Sequence, residues 1–128
     1  MSIIVATYNR ANVLRYAIES ARRQTLTNWE MRVVGDCCTD DTDAVVGAFD
    51  DPRIHFVNLE KNCGDQSGPN NVGFQRSRGR FIAYLNHDDL WFPDHLSAAV
   101  NALEETGADL VWPMVVKLRT DGVYTAVI

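Results

Sequence analysis

Residues 81–91, FIAYLNHDDLW, run from five apolar or aromatic side chains directly into the polar residues Asn86, His87, Asp88 and Asp89. An apolar run rich in aromatic and branched residues predicts a β-strand covered on both faces, because strands alternate only where one face is wet. The acidic cluster therefore lies where the strand leaves the core. In open α/β sheets this carboxyl edge binds ligands, since the loops there are free to carry chemistry.

The side chains of this cluster are mainly hard oxygen donors. Such a set suits Mg²⁺ or Mn²⁺ shared with a phosphorylated substrate better than zinc, which favours Cys and His. The alternative is a solvated turn, in which Asp88 and Asp89 interact favourably with the dipole of a following helix. The residues alone leave both interpretations open.

The chain has 128 residues, of which 46% are hydrophobic and 23% charged, a composition typical of one globular domain. The net charge of −5, with no run of Lys or Arg, argues against a nucleic-acid partner. The first residues lack the pattern of a signal peptide, and no later stretch is long enough to span a membrane. We expect a cytoplasmic protein, with association with the cytoplasmic face of a membrane left open.

The three cysteines are an odd number without CxxC spacing: Cys37, Cys38 and Cys63. Neither a disulfide framework nor a zinc site is indicated, and we expect reduced thiols.

Apolar strand patterns alternate with amphipathic helix patterns along the chain, with short links between them. The predicted strands are residues 2–6, 31–34, 54–59, 81–85 and 109–116. The predicted helices begin after Asn9, after a cap at Thr39, at Pro69 and at Pro93, and the second of them buries Ala44, Val45, Ala48 and Phe49. This order favours an α/β fold, a mostly parallel sheet flanked by helices, in a single domain over residues 1–128.

Polar clusters follow three of the predicted strands, at residues 7–9, 36–38 and 86–89. Because parallel strands present their carboxyl ends at one edge, these clusters share that edge, and Asn70 and Asn71 at the start of a helix belong near it. Convergence of four clusters on one crevice is a stronger functional signal than any one of them.

Four motifs, SIIVATYNR, VVGDCCTDDT, NCGDQSGPNNVG and FIAYLNHDDLW, resemble in this order the N-terminal nucleotide-binding half of family-two glycosyltransferases with the GT-A fold. The resemblance spans nearly the whole chain, and the combination is specific although each motif alone is weak. It implies transfer of a sugar, with inversion, from a nucleoside diphosphate donor, expected to be UDP-linked. A divalent cation, Mn²⁺ or Mg²⁺, would bind the diphosphate, and the acceptor would be a saccharide, a lipid or a protein.

The resemblance also implies roles for residues near the donor. Thr7, Tyr8 and Asn9 match the loop that lines the nucleoside. Asp36 matches the acidic residue that accepts a hydrogen bond from a uracil-type base. Asn70 stands where the family often has Arg beside the base and diphosphate, so binding is expected to depend more heavily on the metal.

Three residues fall on the positions of the family's DxD motif: Asn86, His87 and Asp88. The resemblance implies that Asp88 is the main metal ligand, with Asp89 beside it, and that Asn86 contacts the ribose. Asn86 replaces the usual Asp, but an amide still forms hydrogen bonds with a ribose hydroxyl. For His87 we favour a solvated or backbone-bonded loop residue over a metal ligand.

No residue of this chain is assigned as the general base that an inverting transfer requires. In the family this Asp or Glu lies beyond the matched region, so we expect it beyond Ile128, in a longer enzyme whose C-terminal part is missing here. Gly35, Cys37 and Cys38 also depart from the family's second motif. The alternative function is a non-catalytic nucleotide-binding or interaction module. A dinucleotide-dependent oxidoreductase is disfavoured because no GxGxxG follows the first strand.

Overall fold

The computed structural model describes residues 1–118 and 124–127, and side chains through residue 116. The described strands are β1 (Ser2–Thr7), β2 (Glu30–Gly35), β3 (Ile54–Asn58), β4 (Ile82–Tyr84), β5 (Val115–Leu118) and β6 (Tyr124–Val127). The described helices are α1 (Ala11–Arg22), α2 (Thr42–Gly47), α3 (Ser67–Gln75) and α4 (His95–Thr106). Among the described residues, no helix combines the length and apolar character needed to cross a membrane.

The first four strands form one parallel sheet in the order β3-β2-β1-β4. In its register Thr7 pairs with Gly35, and Gly35 pairs with Asn58. Strands β1, β2 and β3 therefore end at the same level, β4 ends opposite Ile4, and the loops that follow β1, β2 and β4 lie at one edge of the sheet. The predicted parallel α/β sheet flanked by helices is confirmed.

Strand β1 is buried along its whole length because helices cover it. The apolar stripe of α1 contributes Leu14 and Ile18, both fully buried, and each such side chain stabilises the fold by roughly 1.5–3 kcal/mol. Helix α3 approaches β1 closely at Gly73, where a Cβ atom would lie only 2.6 Å from Cγ2 of Ile4. Glycine at this position thus allows the helix to pack against the central strand.

Strand β4 is less covered than the sequence indicated. Tyr84 is 56% exposed, and within the described part of the chain β4 pairs only with β1, so it is an edge strand. The expectation that the apolar run is covered on both faces is wrong here. Residue type alone does not reveal whether another element packs over each face of a strand.

Helix α2 begins later than predicted and buries a different face. It starts at Thr42 instead of following a cap at Thr39, because the Asp40 carboxylate accepts hydrogen bonds from the Thr42 amide and hydroxyl and forms a turn there. Thr42 and Val46 are its buried residues, whereas Ala44 is exposed. The predicted buried set is corrected accordingly.

Contacts within the chain define two compact units, Met1–Ser97 and Ala98–Ile128. In the second unit β5 pairs antiparallel with β6. The predicted strand over residues 109–116 is wrong, since β5 begins only at Val115. Pro113 lies within that apolar run and has no N–H to donate to a ladder, which disfavours a strand through this position. A single domain over residues 1–128 stays a prediction.

Candidate functional site

A cavity of about 340 Å³ lies at the carboxyl edge of the parallel sheet, within the size range of small-molecule sites. Its walls come from the loops after β1, β2 and β4 and from the segment leading into α3. The lining residues are Ala6, Thr7, Tyr8, Arg10, Asp36, Asn62, Gly64, Asp65, Gln66, Pro69 and His87. Residues from three of the predicted polar clusters, those after β1, β2 and β4, therefore lie together at this edge, whereas Asn70 and Asn71 of the fourth do not line the cavity.

Asp36 is a buried carboxylate in this cavity, with only 5% of its surface exposed. Its backbone N–H donates to the Thr7 carbonyl at 2.8 Å, and its own carbonyl accepts from Asn62 Nδ2 at 3.0 Å. The carboxylate Oδ1 accepts the Cys63 N–H at 2.7 Å. Hydrogen bonding with this carboxylate also raises the pKa of the Cys63 thiol, which favours its protonated form. Asp36 is thus held in place by protein contacts.

The turn after β2 is held by Asn58, the last residue of β3. Asn58 Oδ1 accepts the Cys38 N–H at 2.7 Å, and Asn58 Nδ2 donates to the Cys38 carbonyl at 2.8 Å. A Cβ atom at Gly35 would lie 2.6 Å from Asn58 Oδ1, so the side-chain amide occupies the space next to this glycine. Cys37 completes the turn with a φ of 62°, in the left-handed region.

Asn9 ties the loop after β1 to the turn that precedes α2. Its backbone has a φ of 49°, and its Oδ1 accepts N–H groups from Thr39 at 2.8 Å and Asp40 at 3.3 Å. In turn Asp40 Oδ2 accepts the first N–H of α1, from Ala11, at 2.9 Å. Burial opposes the ionisation of Asp40, but its hydrogen bonds from Thr42 and Ala11 outweigh this and lower its pKa. Asn9 therefore joins two loops and does not line the cavity.

The acidic loop after β4 is more open. Asn86 Nδ2 donates to Asp89 Oδ2 at 2.7 Å, and Asp88 and Asp89 are both exposed. His87 is half-buried and lines the cavity, with Nδ1 3.2 Å from the Ala6 carbonyl oxygen. Because a carbonyl oxygen only accepts, Nδ1 donates in this contact, which fixes the orientation of the ring in the cavity wall.

The side chains of this loop can supply only part of the ligand shell of a divalent cation. In the part of the chain whose side chains are described, no group of three or more His, Cys, Asp or Glu is placed to hold a metal ion. Mg²⁺ sites of the kind that use phosphates need only one or two protein carboxylates, since phosphate oxygens and water complete the shell. The adjacent carboxylates of Asp88 and Asp89 match that requirement.

The residues singled out in the sequence divide into two groups. Those that line the cavity are Thr7, Tyr8, Asp36 and His87. Those outside the lining are Asn9, Asn70, Asn86, Asp88 and Asp89. The roles that the resemblance gives to both groups stay predictions.

Two features of the cavity did not emerge from the sequence. Arg10 lines it, although the only sequence signal was its place directly after the polar residues that end β1. Thr7 is 2% exposed, and its Oγ1 has no hydrogen-bond partner among the described residues. Buried hydroxyls normally have a partner, so an unpaired one in a cavity wall is a position at which a ligand can bind.

Comparison with known proteins gives a consistent result. The sequence model of glycosyl transferase family 2 matches residues 2–125. The succinoglycan biosynthesis protein ExoO of Rhizobium meliloti is 39% identical over 110 residues, which are 86% of this chain and 31% of ExoO. The chain spans about a third of the length of ExoO and of two further curated relatives that it matches.

Solved structures share the fold. A structure of S. aureus TarS 1–349 in complex with UDP-GlcNAc superposes with a TM-score of 0.80 at 30% identity, covering 84% of this chain and 32% of that one. The mannosyltransferase PcManGT from Pyrobaculum calidifontis, in complex with GDP-Man and Mn²⁺, superposes with a TM-score of 0.73 at 26% identity. That match covers 80% of this chain and 31% of PcManGT.

Proposed function

Because this chain belongs to glycosyl transferase family 2 and has the GT-A fold, we propose that it is the donor-binding portion of a glycosyltransferase. The donor is a nucleoside diphosphate sugar, UDP-linked, and the acceptor is a saccharide, a lipid or a protein. Transfer proceeds with inversion in the cytoplasm, and the general base lies outside this chain. The TarS structure holding UDP-GlcNAc supports the choice of donor.

The observation that carries this proposal is the placement of Asp36 and the acidic loop on opposite sides of one cavity edge. Asp36 follows β2 and His87 follows β4, with β1 between them. Two strand spacings separate β2 from β4 by about 10 Å across the sheet, a distance that a nucleoside and its diphosphate can span. Asp36 accepts an N–H of the base at one end, and the diphosphate lies toward Asp88 at the other.

The divalent cation belongs to the diphosphate end. Asp88 and Asp89 hold it, and Asn86 fixes the Asp89 carboxylate while lying near the ribose. When bound, the cation stabilises the negative charge that develops on the departing diphosphate. The Mn²⁺ in the PcManGT complex supports a cation of this class. His87, which lines the same cavity, lies beside the bound donor.

Titrating the chain with UDP, GDP and dTDP, each with and without Mn²⁺, tests this function. We expect UDP to bind most tightly and Mn²⁺ to increase its affinity, because the cation offsets the repulsion between the diphosphate and the acidic loop. Isothermal titration calorimetry gives each Kd. Indifference to every nucleotide would exclude a donor site.

A second candidate is a nucleotide-binding module without catalysis. It is favoured by the lack of an assigned base and by the amides at Asn70 and Asn86, where the resemblance leads us to expect charged residues. Both candidates bind UDP, but only an enzyme consumes the donor. The decisive assay is release of UDP from a UDP-sugar, measured on the full-length protein that contains this sequence with a panel of acceptors.

A further inference from the structure

The proposed donor brings a diphosphate into a cavity that is poor in positive charge. Among the described residues that line it, Asp36 and Asp65 carry carboxylates, and Arg10 is the only Lys or Arg. The whole chain carries a net charge of −5. At position 70, where the resemblance leads us to expect Arg, this chain has Asn. A protein cation at the diphosphate therefore has to come from another element.

The sheet order places Arg10 at the required position. Arg10 directly precedes α1 and follows the end of β1, and β1 lies between β2 and β4. A ligand that reaches from Asp36 to the loop containing His87 must cross the end of β1. Arg10 lines the cavity at this crossing.

The guanidinium group of Arg10 is also uncommitted. Arg10 is exposed, and its side chain forms no hydrogen bond or ion pair within the part of the chain whose side chains are described. Other arginines nearby are engaged: Arg15 donates to the Tyr16 hydroxyl, and Arg22 and Arg23 pair with Glu19. Arg10 can therefore bind a ligand without breaking a protein contact.

We propose that Arg10 binds the diphosphate of the nucleotide donor and supplies the fixed cation that Asn70 lacks. This inference rests on the proposed function. A guanidinium donates two parallel hydrogen bonds to phosphate oxygens and keeps its charge at any physiological pH. Arg10 thus shares the diphosphate charge with the divalent cation, and part of the affinity is independent of metal.

The test compares ligands that differ only in phosphate. Wild type and the variants Arg10→Ala, Arg10→Lys and Arg15→Ala are titrated with UDP, UMP and uridine without metal, with chemical shifts measured by NMR. We expect Arg10→Ala to weaken UDP binding about tenfold, to weaken UMP binding less and to leave uridine within about twofold. Arg10→Lys should recover part of the loss, because it keeps the charge but not the paired donors.

Arg15→Ala is the matched control, since it removes an arginine of α1, the helix that Arg10 precedes, and Arg15 does not line the cavity. It should bind all three ligands as wild type does. Equal UDP affinity in wild type and Arg10→Ala would overturn the inference, as would an equal loss for uridine and UDP. If wild type binds no nucleotide either with or without Mn²⁺, the proposed function itself fails, whereas UDP binding that occurs only with Mn²⁺ overturns the inference about Arg10 alone.

Discussion

The candidate donor site has a base end at Asp36 and a metal end at Asp88 and Asp89, and the two ends differ in how many protein contacts hold them in place. At the base end Asp36 is 5% exposed and is fixed by contacts with Thr7 and Cys63. At the metal end Asp88 and Asp89 are exposed, and among the described residues of that loop the side chain of Asn86 donates a hydrogen bond to Asp89. One end is rigid before a ligand binds, and the other is open.

This difference suits the two parts of a nucleoside diphosphate. A base is recognised by the direction of its hydrogen bonds, so a fixed acceptor such as Asp36 saves the cost of ordering a loop on binding. A cation that shares its shell with phosphate oxygens needs few protein ligands and tolerates an open loop. We expect base-end substitutions to act with or without metal, and metal-end substitutions to act only when metal is present.

The largest effect is expected for Asp36→Asn. The amide oxygen still accepts the Cys63 N–H, but the charged acceptor for the base is lost, and a charge-assisted hydrogen bond contributes about 1.5–3 kcal/mol. UDP affinity should fall about 50-fold by the same factor with and without Mn²⁺. Calorimetry measures both titrations, and Asp41→Asn, at an exposed position outside the cavity lining, is the control. A loss seen only with Mn²⁺ would contradict the assignment of Asp36 to the base.

A smaller, conditional effect is expected for Asp88→Asn. Removing one carboxylate from a cation shared with phosphate should weaken UDP binding about tenfold in Mn²⁺, whereas binding without metal should be unchanged or slightly tighter because a negative charge is removed. The measurement is UDP affinity across a Mn²⁺ series. Asp94→Asn, another exposed carboxylate shortly after the loop, should leave the Mn²⁺ dependence intact. A metal-independent loss would place Asp88 at a different part of the donor.

The sequence predicted the parallel sheet well, because it follows from local pattern. Apolar runs identified β1 and β2 as strands, and the resemblance to family-two glycosyltransferases is confirmed by the match over residues 2–125. The role of Asp36 at the base came from that resemblance and stays a prediction. The strand predicted over residues 109–116 begins only at Val115, because Pro113 within that apolar run cannot donate an N–H to a strand ladder. For β4 the type of element was right, but Tyr84 is exposed, because coverage depends on neighbours that pattern does not encode.

The side-chain contacts at the site were not predictable from motif position. Asn9 belongs to the same motif as Thr7 and Tyr8, yet its side-chain Oδ1 accepts N–H groups of the loop before α2, and its backbone is left-handed. Arg10 was missed because an arginine at a helix start is usually a solvated residue. Only the sheet order shows that it lies between the loop after β2 and the loop after β4. Both cases depend on tertiary geometry and not on residue type.

The rigidity of the base end can be tested directly with Asn58→Ala. This change removes both hydrogen bonds to Cys38 and leaves a space beside Gly35, although water can replace them because the contact is exposed. We expect the free energy of unfolding to fall by about 1 kcal/mol and UDP affinity about threefold. Chemical denaturation and calorimetry measure the two effects. His55→Ala, at an exposed position on the same strand, should change neither quantity. An unchanged UDP affinity in Asn58→Ala would mean that the hydrogen bonds between Asn58 and Cys38 do not position Asp36.

The smallest effect concerns Asp40, which lies in the turn before α2 and accepts the N–H of Ala11 at the start of α1. Its pKa is lowered in the folded protein, so the ionised form stabilises the fold above its ordinary pKa of 3.8, and this contribution is lost as the pH falls through the lower folded value. Thr42→Val removes the hydroxyl donor while keeping the buried shape, and should raise the pKa of Asp40 toward its ordinary value. Carboxyl chemical shifts followed by NMR between pH 6 and 2 measure it. The difference in stability between wild type and variant should then narrow below about pH 4, because protonation removes in both the charge that the hydroxyl stabilises. If Asp40 titrates at the same pH in both proteins, the Thr42 hydroxyl does not hold this carboxylate, and the base end is less rigid than its contacts indicate.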